Sequence, residues 1–133
     1  MIPLRRRLLM LCTLLAAGVA RADDSLRRAM QRAYTLRDSA VRAGDQPYGA
    51  VVLKADIIVG EAPSRVITAN NPDVHAEREA LKDALRRLSA TDLEGCVLVS
   101  TSRPCRLCEA AAARVRIARM IHGEALTDAG RPT

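Results

Sequence analysis

Asn71-Pro72-Asp73-Val74-His75-Ala76-Glu77, taken with Pro104-Cys105-Arg106-Leu107-Cys108, is the stretch on which the reading of this chain turns. One imidazole and two thiols can close three corners of a tetrahedron around zinc, and a catalytic zinc leaves the fourth corner open to water. If His75 opens a helix, Glu77 sits two residues further round the first turn and leans over the open corner without ligating the metal. A helix beginning at Cys105 brings Cys105 and Cys108 to one face, because residues three apart on a helix are neighbours. Pro104 fits just ahead of it. Either half alone is a weak signal, since a cysteine pair at this spacing also occurs as a redox motif. The pairing in this order, 28 positions from Glu77 to Cys105, with a candidate strand leading into the second half, is far more specific.

The segments around these two motifs alternate in period. Asp23-Asp24-Ser25 offers N-caps for a helix to about Ala43, with Leu26, Met30, Ala33, Leu36, Ala40 and Val41 at helical spacing, and Gly44-Asp45 ends it. Tyr48 to Lys54 is valine-rich and predicts a strand, Ala55-Asp56 a turn, and Ile57 to Gly60 its hairpin partner, both largely buried. Val66 to Thr68 extends that second strand in this reading. Val74 to Leu88 predicts a helix, Cys96 to Ser100 a third strand, Cys105 to Arg116 a third helix and Arg119 to Gly123 a short fourth strand. A hairpin followed by a β-α-β unit predicts an α/β fold, a three-layer α-β-α sandwich on a mixed sheet of about four strands. Zinc then sits where two helix N-termini meet, and their partial positive charge is expected to favour the thiolates of Cys105 and Cys108.

Residues 1–22 carry the features of an export signal. Arg5, Arg6 and Arg7 form a basic start, Leu8 to Val19 an apolar run, and Ala20-Arg21-Ala22 a small-x-small cleavage site. The apolar run is short for a bilayer span. Residues 23–133 are expected as one domain, exported to the periplasm or secreted, with no membrane attachment after signal removal. The general and the twin-arginine routes both remain open, and the second would load metal before the thiols meet an oxidising compartment. The chain holds 21 Lys and Arg against 15 Asp and Glu, and four of the arginines lie in the signal segment, so the rest is close to neutral. With two tyrosines as its only aromatics, it lacks the stacking platform of a single-strand binder, and nucleic acid is not expected as a partner.

The two motifs resemble the H-x-E and P-C-x-x-C signature of the cytidine and deoxycytidylate deaminase superfamily. Pro47-Tyr48-Gly49-Ala50-Val51-Val52 resembles the corresponding segment of its guanine deaminase and tRNA-adenosine-deaminase-like branch. The resemblance covers roughly Leu26 to Ala129. It implies a cytidine-deaminase-like sandwich and Zn2+ held by His75, Cys105 and Cys108. It further implies Glu77 as proton shuttle, a backbone contact from Ala76 to the substrate base, and a homodimer. Carried over without gaps, two further substrate-contacting positions fall on Ser64 and Arg114, where the family has an asparagine and an apolar or aromatic residue. Arg103 stands where a glutamate commonly precedes the proline. The chain also stops ten residues after Gly123, short of the further strand and closing helices of relatives.

The leading expectation is an exported zinc-dependent hydrolase releasing ammonia from a small base or nucleoside of guanine or cytosine type. A relative that keeps zinc but has lost turnover, binding a base or a protein partner, fits the changes at Ser64, Arg103 and Arg114. A thiol oxidoreductase using Cys105 and Cys108 leaves His75 and Glu77 without a task. Cys96 and His122 are expected to be structural.

Overall fold

The computed structural model describes the backbone of residues 4–133 and the side chains of residues 21–133. The side chains of residues 1–20, where the expected export signal has its basic and apolar parts, lie outside the described residues. A sheet in the order β2-β1-β3-β4-β5 forms the middle layer. Its strands are β1 (Gly49–Lys54), β2 (Ile57–Pro63), β3 (Val97–Ser100), β4 (Arg119–His122) and β5 (Thr127–Gly130). The helices are α1 (Leu4–Arg42), α2 (Ala76–Leu88) and α3 (Arg106–Arg114). β1 pairs antiparallel with both β2 and β3, β3 pairs parallel with β4, and β4 pairs antiparallel with β5.

Two crossovers therefore run the same way across the sheet. β2 and β3, which flank β1, point in one direction and are joined through α2; β3 and β4 are joined through α3. Right-handed crossovers that advance in one direction place their helices on one face. On that face Ala76, Ala80, Leu81, Ala84 and Ala112 pack against Ala50, Val52, Leu98 and Met120. On the other, Ala29, Met30, Ala33 and Leu36 of α1 cover Val51, Leu53, Val99 and Ile121. Odd and even residues of β1, β3 and β4 thus feed opposite layers, as the two-residue repeat requires; in β2 a bulge breaks the alternation, and Val59 and Ala62 share one layer. With no large rings in the core, alanine lets the helices approach closely. Glycine finishes the fit at two points: a Cβ on Gly49 would press into the Ala33 carbonyl and stand 2.7 Å from the Arg37 nitrogen, and one on Gly60 would stand 2.6 Å from Ala84.

The sandwich and its element order match the expectation, with five corrections. Asp23-Asp24-Ser25 is interior to α1 and caps nothing, because the residues on either side are good helix formers and continue the helix through it. Val41 faces outward, and Ile57, on the edge strand β2, is 63% exposed, so that hairpin is less buried than predicted. Val66 to Thr68 forms a turn, not a strand. The buried Asp45 carboxylate captures the backbone N–H groups of Ile67 (3.4 Å) and Thr68 (2.8 Å) that a ladder would need. The sheet also has a fifth strand, β5, which was not expected within the ten residues after Gly123.

Asp45 also accepts from the Gln46 N–H (2.8 Å) and the Ser64 hydroxyl (3.1 Å). Burial opposes its charge, but the bonds from Thr68, Gln46 and Ile67 outweigh burial and hold the carboxyl well below the usual range. A lowered carboxyl contributes stability that is present above the ordinary aspartate value and is lost as pH falls toward its own. Asp45→Asn is expected to melt earlier than the unsubstituted protein at pH 7, with the gap narrowing below about pH 4, as thermal melts across pH will show. Gly49→Ala is expected to cost about 3 kcal/mol by forcing α1 off the sheet, measurable by urea unfolding.

Candidate metal and active site

Because β2 and β3 are parallel to each other, both end at the same edge of the sheet. The segment after β2 leads to His75, the N-cap of α2, and the segment after β3 leads to Cys105, the N-cap of α3. Two residues 30 positions apart in sequence are thereby brought together at the carboxyl ends of strands, where open α/β sheets place their ligands. His75 makes no side-chain capping bond, so its imidazole is free for another partner. The Cys105 sulfur accepts the Cys108 N–H at 3.4 Å and so turns toward the first turn of α3.

The Nδ1 of His75 lies 3.8 Å from the Cys105 sulfur and 3.5 Å from the Cys108 sulfur. Tetrahedral zinc with ordinary bond lengths sets nitrogen and sulfur ligands about 3.6 Å apart. The three ligand atoms all lie within 4.8 Å of one another, so this donor set fits zinc as it stands. Cys105 is exposed and Cys108 fully buried, giving the site one open and one closed side.

Glu77, 5% exposed, is the carboxylate at this place, with Oε2 3.9 Å from the Cys108 sulfur. Burial raises its carboxyl above the usual glutamate range, against the lowering effects of its own backbone N–H and of His75. Burial and then Glu77 also push the Cys108 thiol up, contrary to the expected thiolate. The helix N-terminus is outweighed because desolvation acts on the whole thiolate charge, whereas the dipole supplies a fraction of one. A dication between the three ligands would reverse both shifts, since metal binding expels protons from its ligands.

A cleft of about 280 Å³ opens over these groups, lined by His75, Ala76, Glu77, Ser64 and Cys105, with Gln46, Tyr48, Ser102 and Arg103 completing the wall. The structure thus brings together every predicted site residue except Arg114; Cys108 sits fully buried beneath His75 and Cys105. Arg114 lies in the last turn of α3, exposed and away from the cleft. A nine-residue helix running back from the ligand edge carries its far end roughly 13 Å off, which a gapless carry-over along the sequence ignores. Ser64 is at the wall, but its hydroxyl proton is committed to Asp45.

Three lining residues, Gln46, Tyr48 and Ser102, went unpredicted, and Arg103 stood only as a departure from the family pattern ahead of Pro104. Gln46 and Tyr48 precede β1, whose antiparallel direction brings its start to the edge where β2 and β3 end. The signal for Tyr48 was its rarity: it is one of two aromatics in the chain, and it lines the cleft while 40% exposed. Ser102 and Arg103 follow directly from the end of β3.

The model of the cytidine and deoxycytidylate deaminase zinc-binding region matches residues 23–124. A guanine deaminase of Bacillus subtilis is 36% identical over 101 residues, 75% of this chain and 65% of that protein. A tRNA-specific adenosine deaminase of Aquifex aeolicus is 39% identical over 82 residues, 62% of this chain and 54% of that protein. The solved structure of the Bacillus subtilis guanine deaminase superposes with a TM-score of 0.69 at 34% identity, covering 72% of this chain and 62% of that one. The chain spans less than two thirds of the length of these relatives. The match runs through both halves of the site and the sheet that joins them, and the chain belongs to the cytidine and deoxycytidylate deaminase zinc-binding family.

Proposed function

We propose that the protein is a hydrolytic deaminase releasing ammonia from a nucleobase or nucleoside, with guanine- and cytosine-type rings the first substrates to try. The observation that carries this reading is a buried carboxylate, Glu77, held beside three metal-ligating atoms under a cleft large enough to admit a base. His75, Cys105 and Cys108 would hold zinc, which when bound supplies a Lewis acid that makes water nucleophilic at neutral pH.

The chain's own groups do the rest. The Glu77 carboxylate takes a proton from the attacking water and delivers it to the ring nitrogen; the remaining proton goes to the amine, which leaves as ammonia. Burial raises the proton affinity of Glu77 and a bound dication would lower it again, and a carboxyl held between these opposing effects can both accept a proton and return it. The Tyr48 ring offers a stacking face for the base, and Ala76, between His75 and Glu77, contributes backbone at the cleft wall. Ser64 shapes that wall with its hydroxyl turned to Asp45.

A second reading has specific support. The engaged Ser64 hydroxyl and the distant Arg114 leave the expected substrate contacts unmade, which suits a zinc protein that binds a base or partner without turning it over. The oxidoreductase reading loses its scaffold, since Cys105 and Cys108 open a helix of a deaminase-type sheet with His75 against both sulfurs. Export through residues 1–22 to the periplasm or beyond, and pairing as a homodimer that completes a thin core, belong to the same proposal. Composition of the first 22 residues supports the first, and the short alanine-rich core the second.

Glu77→Gln is expected to keep zinc and lose at least 100-fold in ammonia release, consistent with general acid–base contributions of about 10²–10⁴. Its metal-free form should melt higher at neutral pH, because a buried charge is removed; ammonia release near the unsubstituted rate would remove Glu77 from the mechanism. His75→Ala and Cys105→Ala should lose zinc and thermal stability together. Zinc content equal to the unsubstituted protein, measured by atomic absorption, would contradict the ligand assignment.

A further inference from the structure

Arg103 is the only Lys or Arg among the residues lining the cleft. The segment that carries it is pinned on both sides. The Ser100 hydroxyl donates to the Ser102 carbonyl at 2.7 Å, the Thr101 N–H donates to the Gly49 carbonyl at 3.1 Å, and the Gly49 N–H donates to the Thr101 hydroxyl at 3.2 Å. Buried Pro104 then leads straight into the Cys105 cap. The side chain at the end of this fixed backbone is exposed, and among the described residues it forms no ion pair.

No acid at the cleft is available to neutralise it. Glu77, the one carboxylate in the lining, is buried beside the metal ligands. Asp45, next to Gln46, is occupied by three backbone N–H groups and the Ser64 hydroxyl. Asp73 pairs with Arg78 at 3.4 Å. Arg65 and Arg106, sequence neighbours of the lining residues Ser64 and Cys105, are exposed as well, so the wall-forming segments are rich in cation and poor in free anion.

At about 280 Å³ the cleft lies at the small end of ligand pockets but has room for a base together with its sugar, so a phosphate on that sugar would lie at the mouth and a ring substituent against the lining. A guanidinium presents a planar fork that matches an oxyanion in two bonds. We propose that Arg103 makes this site select a base bearing an oxyanion, a phosphate on its sugar or a carboxylate on its ring, over the neutral base or nucleoside. This selectivity rests on the deaminase reading for its ring chemistry.

The test is calorimetric binding to zinc-loaded Glu77→Gln protein, so that turnover does not intervene, using ring-matched pairs. Cytidine against cytidine 5′-monophosphate and guanosine against guanosine 5′-monophosphate probe phosphate, and cytosine against 5-carboxycytosine probes carboxylate. The anionic member of at least one pair is expected to bind about 10- to 100-fold tighter, the range for hydrogen bonds to charged groups. Arg103→Ala should abolish the preference, Arg103→Glu invert it, and Arg103→Lys restore part of it, at equal zinc content. Equal affinity within every pair, binding of none of them, or a preference that survives Arg103→Ala overturns the inference. Ammonia release from the neutral members by the unsubstituted protein, with equal affinities, would remove Arg103 selectivity and leave the deaminase reading standing. Anion preference without ammonia from any pair would do the reverse.

Discussion

The direction of two strands governs everything else in this molecule. β2 and β3 lie on either side of β1 and run the same way, so the chain leaves both at one edge and enters a helix each time. Right-handed crossover then sends α2 and α3 to the same face, and their N-caps, His75 and Cys105, meet at that edge. Cys105 is the fifth residue after β3, while His75 is the twelfth after β2, at the end of a loop that Asp45 pins. The ligand set is a product of topology, and its rigidity is that of the sheet, which is the condition for holding a reacting group to a fraction of an ångström.

The site is built from groups that a purely structural protein would have paired or removed. His75 occupies an N-cap without capping, Glu77 is a buried carboxylate without a cation, and the Cys108 thiol donates to that carboxylate in the closed end of the cleft. Each is unfavourable for folding alone: burial raises both the Glu77 and the Cys108 proton affinities. Local conflict of this kind collects at functional sites and is offset elsewhere, here by the alanine and valine layers on both sheet faces. Asp45 belongs to the offsetting side, because one carboxylate ties the start of β1 to the segment that leads to His75. Wall and ligand are positioned by the same hydrogen bonds.

What could be seen in the chain beforehand was the chemistry carried by side-chain type. His75, Glu77, Cys105 and Cys108 announce themselves by identity and spacing, and the valine-rich and alanine-rich segments by period. What could not be seen was whatever depends on direction or on tertiary capture. Val66-Ile67-Thr68 has β-branched strand character, yet Asp45 takes its N–H groups and makes a turn. Thr127-Asp128-Ala129-Gly130 has almost none, yet pairs with β4 because that edge offers a ready ladder. Tyr48 and Arg103 reach the cleft only because of which way β1 and β3 run. Arg114 leaves it because α3 runs back from the edge. A line of sequence holds the distance between residues along the chain, and a site is made of distances across it.

The central claim is a single coordination sphere of one imidazole and two thiolates beneath a carboxylate. X-ray absorption at the zinc edge, on protein purified without added metal, reads that sphere directly. The account predicts one zinc per chain with two sulfur neighbours at about 2.3 Å, one imidazole nitrogen at about 2.0 Å and one further light atom. A sample holding no zinc and a bond between the sulfurs of Cys105 and Cys108, with none taken up after reduction, would contradict it.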